Sequence, residues 1–315
     1  MNWQKVLFGV GFAVASGICG ASATAGAQQT APGTPVHMVV SVESRHGAEI
    51  PVINREDVVV SEGRDRDKVT AWVPATGERA GLDLYVLLDD SSSWTVDTQL
   101  AELRAFILQQ PVSTFIAVGY MHNGMVETVQ ELTTEHAGAA KAVRLTMGNS
   151  SGGASPYFSL EDLIKRWRPD PARPRREIVM ITSGIDFYAP GSVDPYLDQA
   201  IEKMQRAGIL VYSIYTPGTG HAGHSFWRAN WGQNNLSRIS DETGAESYDL
   251  GVVAAPSFKP YFDDISKRLG HQYLLTFLAK PEKKAGMQSV KLRTEVPDAE
   301  LVGASRVYVP ASSTP

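Results

Sequence analysis

Between residues 36 and 73, apolar and polar positions alternate in three short segments, which is the pattern of half-buried β-strands. The segments cover residues 36–43, 57–61 and 68–73, and each is bounded by glycine, proline, asparagine or clustered charges. From residue 84 the pattern changes to continuous apolar runs, which are typical of strands buried on both faces of a sheet. The chain is therefore predicted to pass from a β segment into a different architecture.

The middle of the chain alternates such buried strands with segments of helical spacing. Strands are predicted at 84–88, 114–120, 177–182 and 209–215, with a hairpin partner at 125–130, and helices at 96–109, 137–146, 157–167 and 193–207. This alternation predicts right-handed crossovers and a mostly parallel, doubly wound α/β sheet. A further helix at 258–269 and three strands at 272–277, 288–294 and 305–309 follow.

Neither β flank alone has enough strands for a stable core, so we predict that both flanks form one small β-sandwich beside the inserted α/β block. The predicted domains are a signal peptide at 1–27, an N-terminal β segment at 28–81, an α/β domain at 82–256, and a C-terminal helix and β segment at 257–315 that packs with the N-terminal segment. The predicted fold class is thus α/β with a flanking sandwich.

The first 27 residues have the composition of a secretory signal peptide. Lys5 is their only charge, an apolar run follows at 6–15, and small residues end the segment at 25–27. The run is short and rich in glycine, which favours a cleaved signal over a membrane anchor. The single cysteine, Cys19, lies inside it, and a lipoprotein is the alternative, although Ile18 stands where that signal has a small residue. We therefore expect export to the periplasm or the extracellular medium, with no stable membrane span after cleavage.

The net charge and the motifs of the chain restrict the classes of function that we expect for it. The formal net charge of the 315-residue chain is −5 at pH 7 and its basic residues form no stripe, so a nucleic-acid surface is not expected. The sequence contains no H-E-x-x-H and no P-loop, and its one cysteine is lost with the signal peptide. These absences lead us to expect a binding protein and not an enzyme.

The most specific segment follows the first buried strand. Asp89, Ser91 and Ser93 form a D-x-S-x-S pattern where that strand ends and a helix begins. In an open parallel sheet, ligands lie beyond the carboxyl ends of the strands. A turn can direct the three alternate side chains to one point, and their hard oxygens suit Mg²⁺, Mn²⁺ or Ca²⁺. Asp90, which lies between them, is expected to face solvent.

With this motif, its strand–helix context and its β flanks, the chain resembles the von Willebrand factor type A (VWA) domain. More narrowly, it resembles the bacterial VWFA-related family abundant in acidobacteria, which has a β segment before the VWA domain and a Tyr-Leu-Leu-containing β segment after it, as at 273–275 here. The resemblance covers most of residues 36–309. It implies a metal-ion-dependent adhesion site that begins with D-x-S-x-S and holds Mg²⁺ or Mn²⁺.

In the VWA fold a second loop supplies a threonine hydroxyl and a third loop an aspartate. The resemblance maps the threonine onto Ser155, with Ser151 as the alternative, and a serine offers the same oxygen. The third loop departs from the family, because Ser183 stands where the pattern Thr-Asp-Gly has its carboxylate. Asp186 could reach the site directly or through water. The implied metal ligands are Asp89, Ser91, Ser93, Ser155 and Asp186. The alternative is a metal-free loop whose side chains only cap the following helix.

The segment at 216–233 is predicted to be a long loop at the same edge of the sheet. Exposed tryptophan, tyrosine and arginine are favoured at binding hot spots. The candidate partner-binding residues are Trp94, Tyr188, His224, Trp227 and Trp231. The alternative is a lid whose aromatic side chains pack on the sheet. A zinc site at His221 and His224 is not expected, because no cysteine or other clustered histidine accompanies them.

Together these expectations describe an exported VWA-like binding or adhesion module with a degenerate metal site. Its partner would be a protein or extracellular ligand that contributes an acidic group to the metal. The alternative function is a metal-free structural or assembly protein of the cell envelope. Metal titration distinguishes the two.

Overall fold

The continuous apolar runs form a six-stranded sheet in the computed structural model, which describes residues 33–46, 49–92, 96–147, 155–189, 191–219, 225–280 and 284–311. The strands are β4 (Leu82–Asp89), β5 (Thr114–His122), β6 (Met125–Thr133), β7 (Arg175–Thr182), β8 (Ile209–Tyr215) and β9 (Ser247–Tyr248). Their order is β6-β5-β4-β7-β8-β9, and only β5 and β6 pair antiparallel. Every residue of β4 and β8 is buried, which explains why their sequences do not alternate.

Helices cover both faces of this sheet. On one face lie α1 (Leu100–Gln109), α2 (His136–Ala142) and α6 (Lys259–Gly270), and on the other α3 (Pro156–Arg166), α4 (Pro195–Ala207) and α5 (Phe226–Thr243). Val86 packs in the first core, where the rings of Phe106 and Phe262 stack at 4.8 Å, and its neighbour Leu87 packs in the second. The predicted doubly wound α/β fold is confirmed by this arrangement.

The strand order also locates a crevice. Counted from β4, the order is 3-2-1-4-5-6, in which the connections diverge between β4 and β7. Ligand crevices of open α/β sheets lie beyond the carboxyl ends of the strands at such a switch point. Asp89 ends β4 and Thr182 ends β7, so both residues stand at this point. We call this side of the sheet the carboxyl edge and the opposite side the amino edge.

The two ends of the described chain share a second, antiparallel sheet, as predicted. It contains β1 (Thr34–Ser44), β2 (Val58–Glu62), β3 (Asp65–Pro74), β10 (Gln272–Ala279), β12 (Lys291–Thr294) and β13 (Ala299–Gly303), in the order β12-β2-β3-β10-β1-β13. A ribbon of β11 (Gly286–Ser289) and β14 (Arg306–Val309) contributes to the same core, around Val40, Val60 and Phe277. The domain boundaries at 27, 81 and 256 stay predictions.

Several elements differ from the sequence prediction, the unpredicted two-residue strand β9 among them. The predicted strand at 288–294 is two strands, because the chain changes partner at Val290, from β14 to β2. The short strand β13 was not predicted. Helix α5 occupies 226–243, although a loop was expected as far as residue 233, because three asparagines and a glycine blur the helical period. Its ends are nevertheless marked by Ser225, which caps the first turn, and by Gly244 with φ 85°.

Candidate functional site

Asp89 is buried at the switch point, and both of its carboxylate oxygens accept hydrogen bonds. Oδ1 accepts from the Ser91 hydroxyl at 2.6 Å and from the Ser91 amide at 3.0 Å. Oδ2 accepts from the Thr182 hydroxyl at 2.7 Å. Burial raises the pKa of Asp89 and repulsion from Asp90 adds to this, although the hydrogen bonds from Ser91 and Thr182 act in the other direction. Among the described residues, the first loop therefore holds a buried carboxylate whose hydrogen-bond donors are hydroxyl and amide groups.

The rest of the first loop is only partly described. The Ser92 hydroxyl is buried and has no hydrogen-bond partner among the described residues. The loop after β8 reaches this segment, because the Thr219 hydroxyl donates to the Ser91 carbonyl at 3.1 Å. Ser93 and Trp94 lie outside the described residues.

Ser155 and Asp186 form a second pair at the same edge. The Ser155 hydroxyl accepts from the Phe158 amide at 3.3 Å, which caps α3, and donates to Asp186 Oδ2 at 2.6 Å. Asp186 Oδ1 accepts from the Tyr188 amide at 2.7 Å. Of the predicted metal ligands, the structure thus joins Asp89 to Ser91 and Ser155 to Asp186. No hydrogen bond among the described residues links the two pairs.

Ser183, where the resemblance expects an aspartate, turns its hydroxyl to its own loop. Its Oγ accepts from the Ile185 amide at 3.4 Å. Gly184, which follows, has φ +66°, and a Cβ there would lie 2.4 Å from the carbonyl oxygen of Gly232 on α5. Tyr157 on α3 also donates to the Gly184 carbonyl at 2.8 Å. The third loop is therefore held between α3 and α5 by close backbone approach.

Asp90 is not a solvent-facing residue, and that prediction was wrong. It is 2% exposed, and its two oxygens accept from Nη1 and Nη2 of Arg144 at 2.8 and 3.1 Å. Oδ1 also accepts from the Met147 amide at 2.9 Å. The hydrogen bond to Asp90 raises the pKa of Arg144. Because the bidentate pair joins residues 54 apart in sequence, no local pattern could have revealed it.

Aromatic and apolar side chains surround these loops on the outside. Tyr188 is 57% exposed, Phe226 62% and Trp227 69%, and Met147 beside Asp90 is also exposed. Trp231 is half-buried on α5, so the prediction that 216–233 is a long loop is wrong for its second half. His221 and His224 lie outside the described residues.

The donor set fits a hard divalent cation in its chemistry. Carboxylate and hydroxyl oxygens are the ligands that Mg²⁺ and Mn²⁺ prefer, and the orphaned Ser92 hydroxyl is a spare donor of the same kind. The described residues contain no group of three or more histidine, cysteine, aspartate or glutamate side chains that could hold a metal. Any metal here would therefore depend on hydroxyl ligands.

A second pattern lies beside Ser155. Residues 148–152, Gly-Asn-Ser-Ser-Gly, have the letters of the G-x-S-x-G elbow of hydrolases. That elbow follows directly on a strand of the sheet. The preceding residues 143–147 are neither strand nor helix, and 148–152 themselves lie outside the described residues. The strand context of a nucleophile elbow is missing.

Comparison with known proteins gives similarities of fold. No family model matches the chain, and no curated protein matches it. Among solved structures, an aerotolerance-related membrane protein from Bacteroides fragilis is 13% identical, with a TM-score of 0.43 over 60% of this chain and 98% of its own. The ArnB paralog VWA2 from Sulfolobus acidocaldarius is 8% identical, with a TM-score of 0.40 over 89% and 76%. The pilus adhesin SpaC from Lactobacillus rhamnosus GG is 8% identical, with a TM-score of 0.42 over 82% and 48%. Because these TM-scores are all low, we infer the fold from the strand order of the chain itself.

Proposed function

We propose that this chain is an exported VWA-like binding protein that engages a protein partner through the carboxyl edge of its α/β sheet. The observation that carries the proposal is the concentration of exposed aromatic side chains around buried carboxylates at the switch point. Tyr188, Phe226 and Trp227 expose more than half of their surface there. Exposed apolar groups rimmed by polar residues are typical of interaction sites.

The proposal includes a cation as a bridge to the partner. Asp89, Ser91, Ser155 and Asp186 would hold Mg²⁺ or Mn²⁺, together with Ser93. A serine hydroxyl can ligate through a lone pair while it donates its proton to a carboxylate, so the bonds from Ser91 to Asp89 and from Ser155 to Asp186 are compatible with this role. With Ser183 in place of an aspartate, the site is short of negative charge, and we expect weak binding that a carboxylate of the partner completes.

A metal-free structural or assembly protein of the cell envelope is the second candidate. The observation that favours it is that hydroxyl and amide donors already engage both oxygens of Asp89. In that case the loop would be a self-contained hydrogen-bonded turn, and partner binding would depend on the aromatic side chains alone.

Export is proposed from the signal-like composition of residues 1–27, which lie outside the described residues. None of the described helices is long and apolar enough to cross a bilayer. N-terminal sequencing of the protein recovered from the producing cells and their medium tests this proposal. We expect a mature terminus near Gln28, and an intact Met1 in all fractions would contradict export.

Site-specific photo-crosslinking tests the binding surface. A photoreactive phenylalanine derivative at position 188 or 227 should form a discrete adduct with a protein in extracts of the producing cells. The matched control is position 112 at the amino edge, where Val112 is 87% exposed and no comparable aromatic cluster is present among the described residues. Equal adducts at 112 and 188 would argue against a binding surface at the carboxyl edge.

Calorimetric titration of the chain with Mg²⁺ and Mn²⁺ separates the two candidates. In the cation-bridged case Ser183→Asp tightens binding because it restores a carboxylate, and Asp89→Ala abolishes binding. If the wild type and Asp89→Ala both take up no cation and give the same adduct from position 188, the metal-free candidate is correct.

A further inference from the structure

Two buried carboxylates flank the third loop at the carboxyl edge. Asp186 is 2% exposed and Asp194, the capping residue of α4, is 3% exposed. Asp194 Oδ1 accepts from the amides of Tyr196 and Leu197 at 3.0 and 3.1 Å. Its Oδ2 is fully buried and has no hydrogen-bond partner among the described residues. A buried carboxylate oxygen without a donor or cation is costly, and such an orphan in a folded protein calls for an explanation.

No cationic side chain of the described residues neutralises this pair. Asp198, one turn further along α4, shows the contrast, because it forms an ion pair with Arg238 at 2.6 Å. Burial raises the pKa of Asp194, and repulsion from Asp186 adds to this, against the lowering by the Leu197 and Tyr196 amides. The positive end of α4 therefore does not fully compensate the charge of its own capping residue.

A third oxygen and a buried phenol complete the surroundings. The Ser155 hydroxyl, 1% exposed, donates to Asp186 Oδ2 and has one lone pair left after it accepts from the Phe158 amide. The fully buried phenol of Tyr157 senses both carboxylates, since Asp194 and Asp186 each contribute, after burial, to raising its pKa. The ring of Phe158 on α3 contacts Tyr188 of the third loop at 5.3 Å and Tyr196 of α4 at 4.5 Å, so the segments that carry these three oxygen donors pack together.

We infer that Ser155, Asp186 and Asp194 bind a divalent cation, and that Asp194 supplies the carboxylate that is missing at Ser183. The ligand is a hard cation of the Mg²⁺ or Mn²⁺ class, held by Ser155 Oγ and by the Oδ2 atoms of Asp186 and Asp194. Two carboxylates match the charge of a divalent ion, and the orphaned Oδ2 of Asp194 gains a partner. This inference rests on the cation-dependent form of the proposed function, and it moves the centre of the site from Asp89 toward α4.

Terbium luminescence tests the site in the full chain. Tb³⁺ is a probe for hard oxygen sites, and Tyr157 is placed to sensitise its emission. We expect wild type to bind Tb³⁺ and to release it to Mg²⁺ or Mn²⁺, and Asp194→Asn to weaken Tb³⁺ binding about tenfold or more. Asparagine caps a helix as well as aspartate does, so the variant removes charge and keeps the cap of α4. Asp198→Asn, one turn further along α4 but exposed and paired with Arg238, is the matched control and should bind like wild type.

Melting in EDTA separates binding from folding. Because Asp194→Asn removes an uncompensated buried charge, its melting temperature without cation should equal or exceed that of wild type. If Asp194→Asn proves unstable, Asp186→Asn serves as the second variant, with the same expected loss of Tb³⁺.

The outcomes also separate this inference from the proposed function. Unchanged Tb³⁺ affinity in Asp194→Asn, with loss in Asp89→Asn, would overturn the inference and leave a cation site at Asp89. Absence of Tb³⁺ binding in wild type would overturn it as well, while crosslinking from position 188 would still report on the binding surface.

Discussion

The two edges of the α/β sheet differ in the partners that they give to Asp83, Asp89 and Asp186. At the amino edge, Asp83 is fully buried, forms an ion pair with Arg173 and accepts from the Trp167 indole at 3.3 Å. At the carboxyl edge, Asp89 and Asp186 have hydroxyl and amide donors but no cationic partner among the described residues. The same sheet thus pairs Asp83 with a cation at one edge, whereas at the other edge Asp90 is paired with Arg144 but Asp89 and Asp186 are not paired with a cation among the described residues.

A second network of buried charged and polar side chains lies at the amino edge of the sheet. Glu177 is fully buried at the start of β7; its Oε2 accepts from the Gln272 amide at 3.1 Å, and its Oε1 has no hydrogen-bond partner among the described residues. The same Gln272 accepts from Arg175 Nη1 at 2.9 Å, so the glutamine bridges the two charges and ties β7 to β10. Uncompensated charge is expensive to bury, and folds retain it mainly where function requires it. The absence of cationic partners for Asp89 and Asp186 among the described residues is therefore consistent with the binding role proposed for the carboxyl edge.

The largest expected effect on stability comes from removing the buried charge of Asp83 at the amino edge. Asp83→Asn leaves the Arg173 guanidinium without its buried counter-charge and should lower the free energy of unfolding by about 3 kcal/mol. Urea unfolding measures this. Asp170→Asn removes the second and more exposed carboxylate that pairs with Arg173, and should cost under about 1 kcal/mol. Equal effects of the two substitutions would mean that burial does not distinguish the pairs.

The next largest effect on stability is expected at Asp67, in the antiparallel sheet formed by the two chain ends. This carboxylate also has no cationic partner among the described residues. It is 7% exposed, its Oδ2 has no partner among the described residues, and burial and the nearby Glu62 raise its pKa to about 6. A carboxyl with a raised folded-state pKa stabilises the fold below its unfolded pKa, and that stability is lost as the pH rises through about 6. Asp67→Asn should therefore be more stable than wild type by about 2 kcal/mol at pH 7.5 and no more stable near pH 4.

Urea unfolding at both pH values checks this dependence. Asp65→Asn is the control, because Asp65 is exposed and pairs with Lys280. A stability difference between Asp67→Asn and wild type that does not change with pH would show that the substitution acts through packing and not through charge.

A smaller difference in stability is expected between substitutions of the neighbouring residues Asp89 and Asp90. Asp89→Asn keeps oxygen and nitrogen atoms that can bond Ser91 and Thr182, and it removes a buried charge. In EDTA it should change the free energy of unfolding by less than about 1 kcal/mol. Asp90→Asn weakens the bidentate contact with Arg144 and should destabilise by about 2 kcal/mol. A larger loss for Asp89→Asn than for Asp90→Asn would contradict the view that Asp89 is kept for binding.

Sequence patterns predicted the strands that are buried on both faces, because such runs as 84–88 need no knowledge of their neighbours. The D-x-S-x-S motif could be placed at the end of a strand for the same reason. The partner of Asp90 could not be predicted, since Arg144 comes from a different segment and only the folded chain brings the two together. Asp194 was overlooked because its capping position resembles that of any helix-starting aspartate, and only its orphaned oxygen sets it apart.

The smallest expected effect on stability tests the functional edge most directly. Trp227 is 69% exposed, and the ring contact described for it is with Phe226 at 6.0 Å, so Trp227→Ala should change the free energy of unfolding by less than about 0.5 kcal/mol. If the carboxyl edge binds a partner, the same substitution should remove most of the adduct from a crosslinker at position 188, because exposed tryptophans contribute strongly to interfaces. Val112→Ala at the amino edge is the control and should change neither quantity. A full adduct with Trp227→Ala would show that α5 lies outside the binding surface.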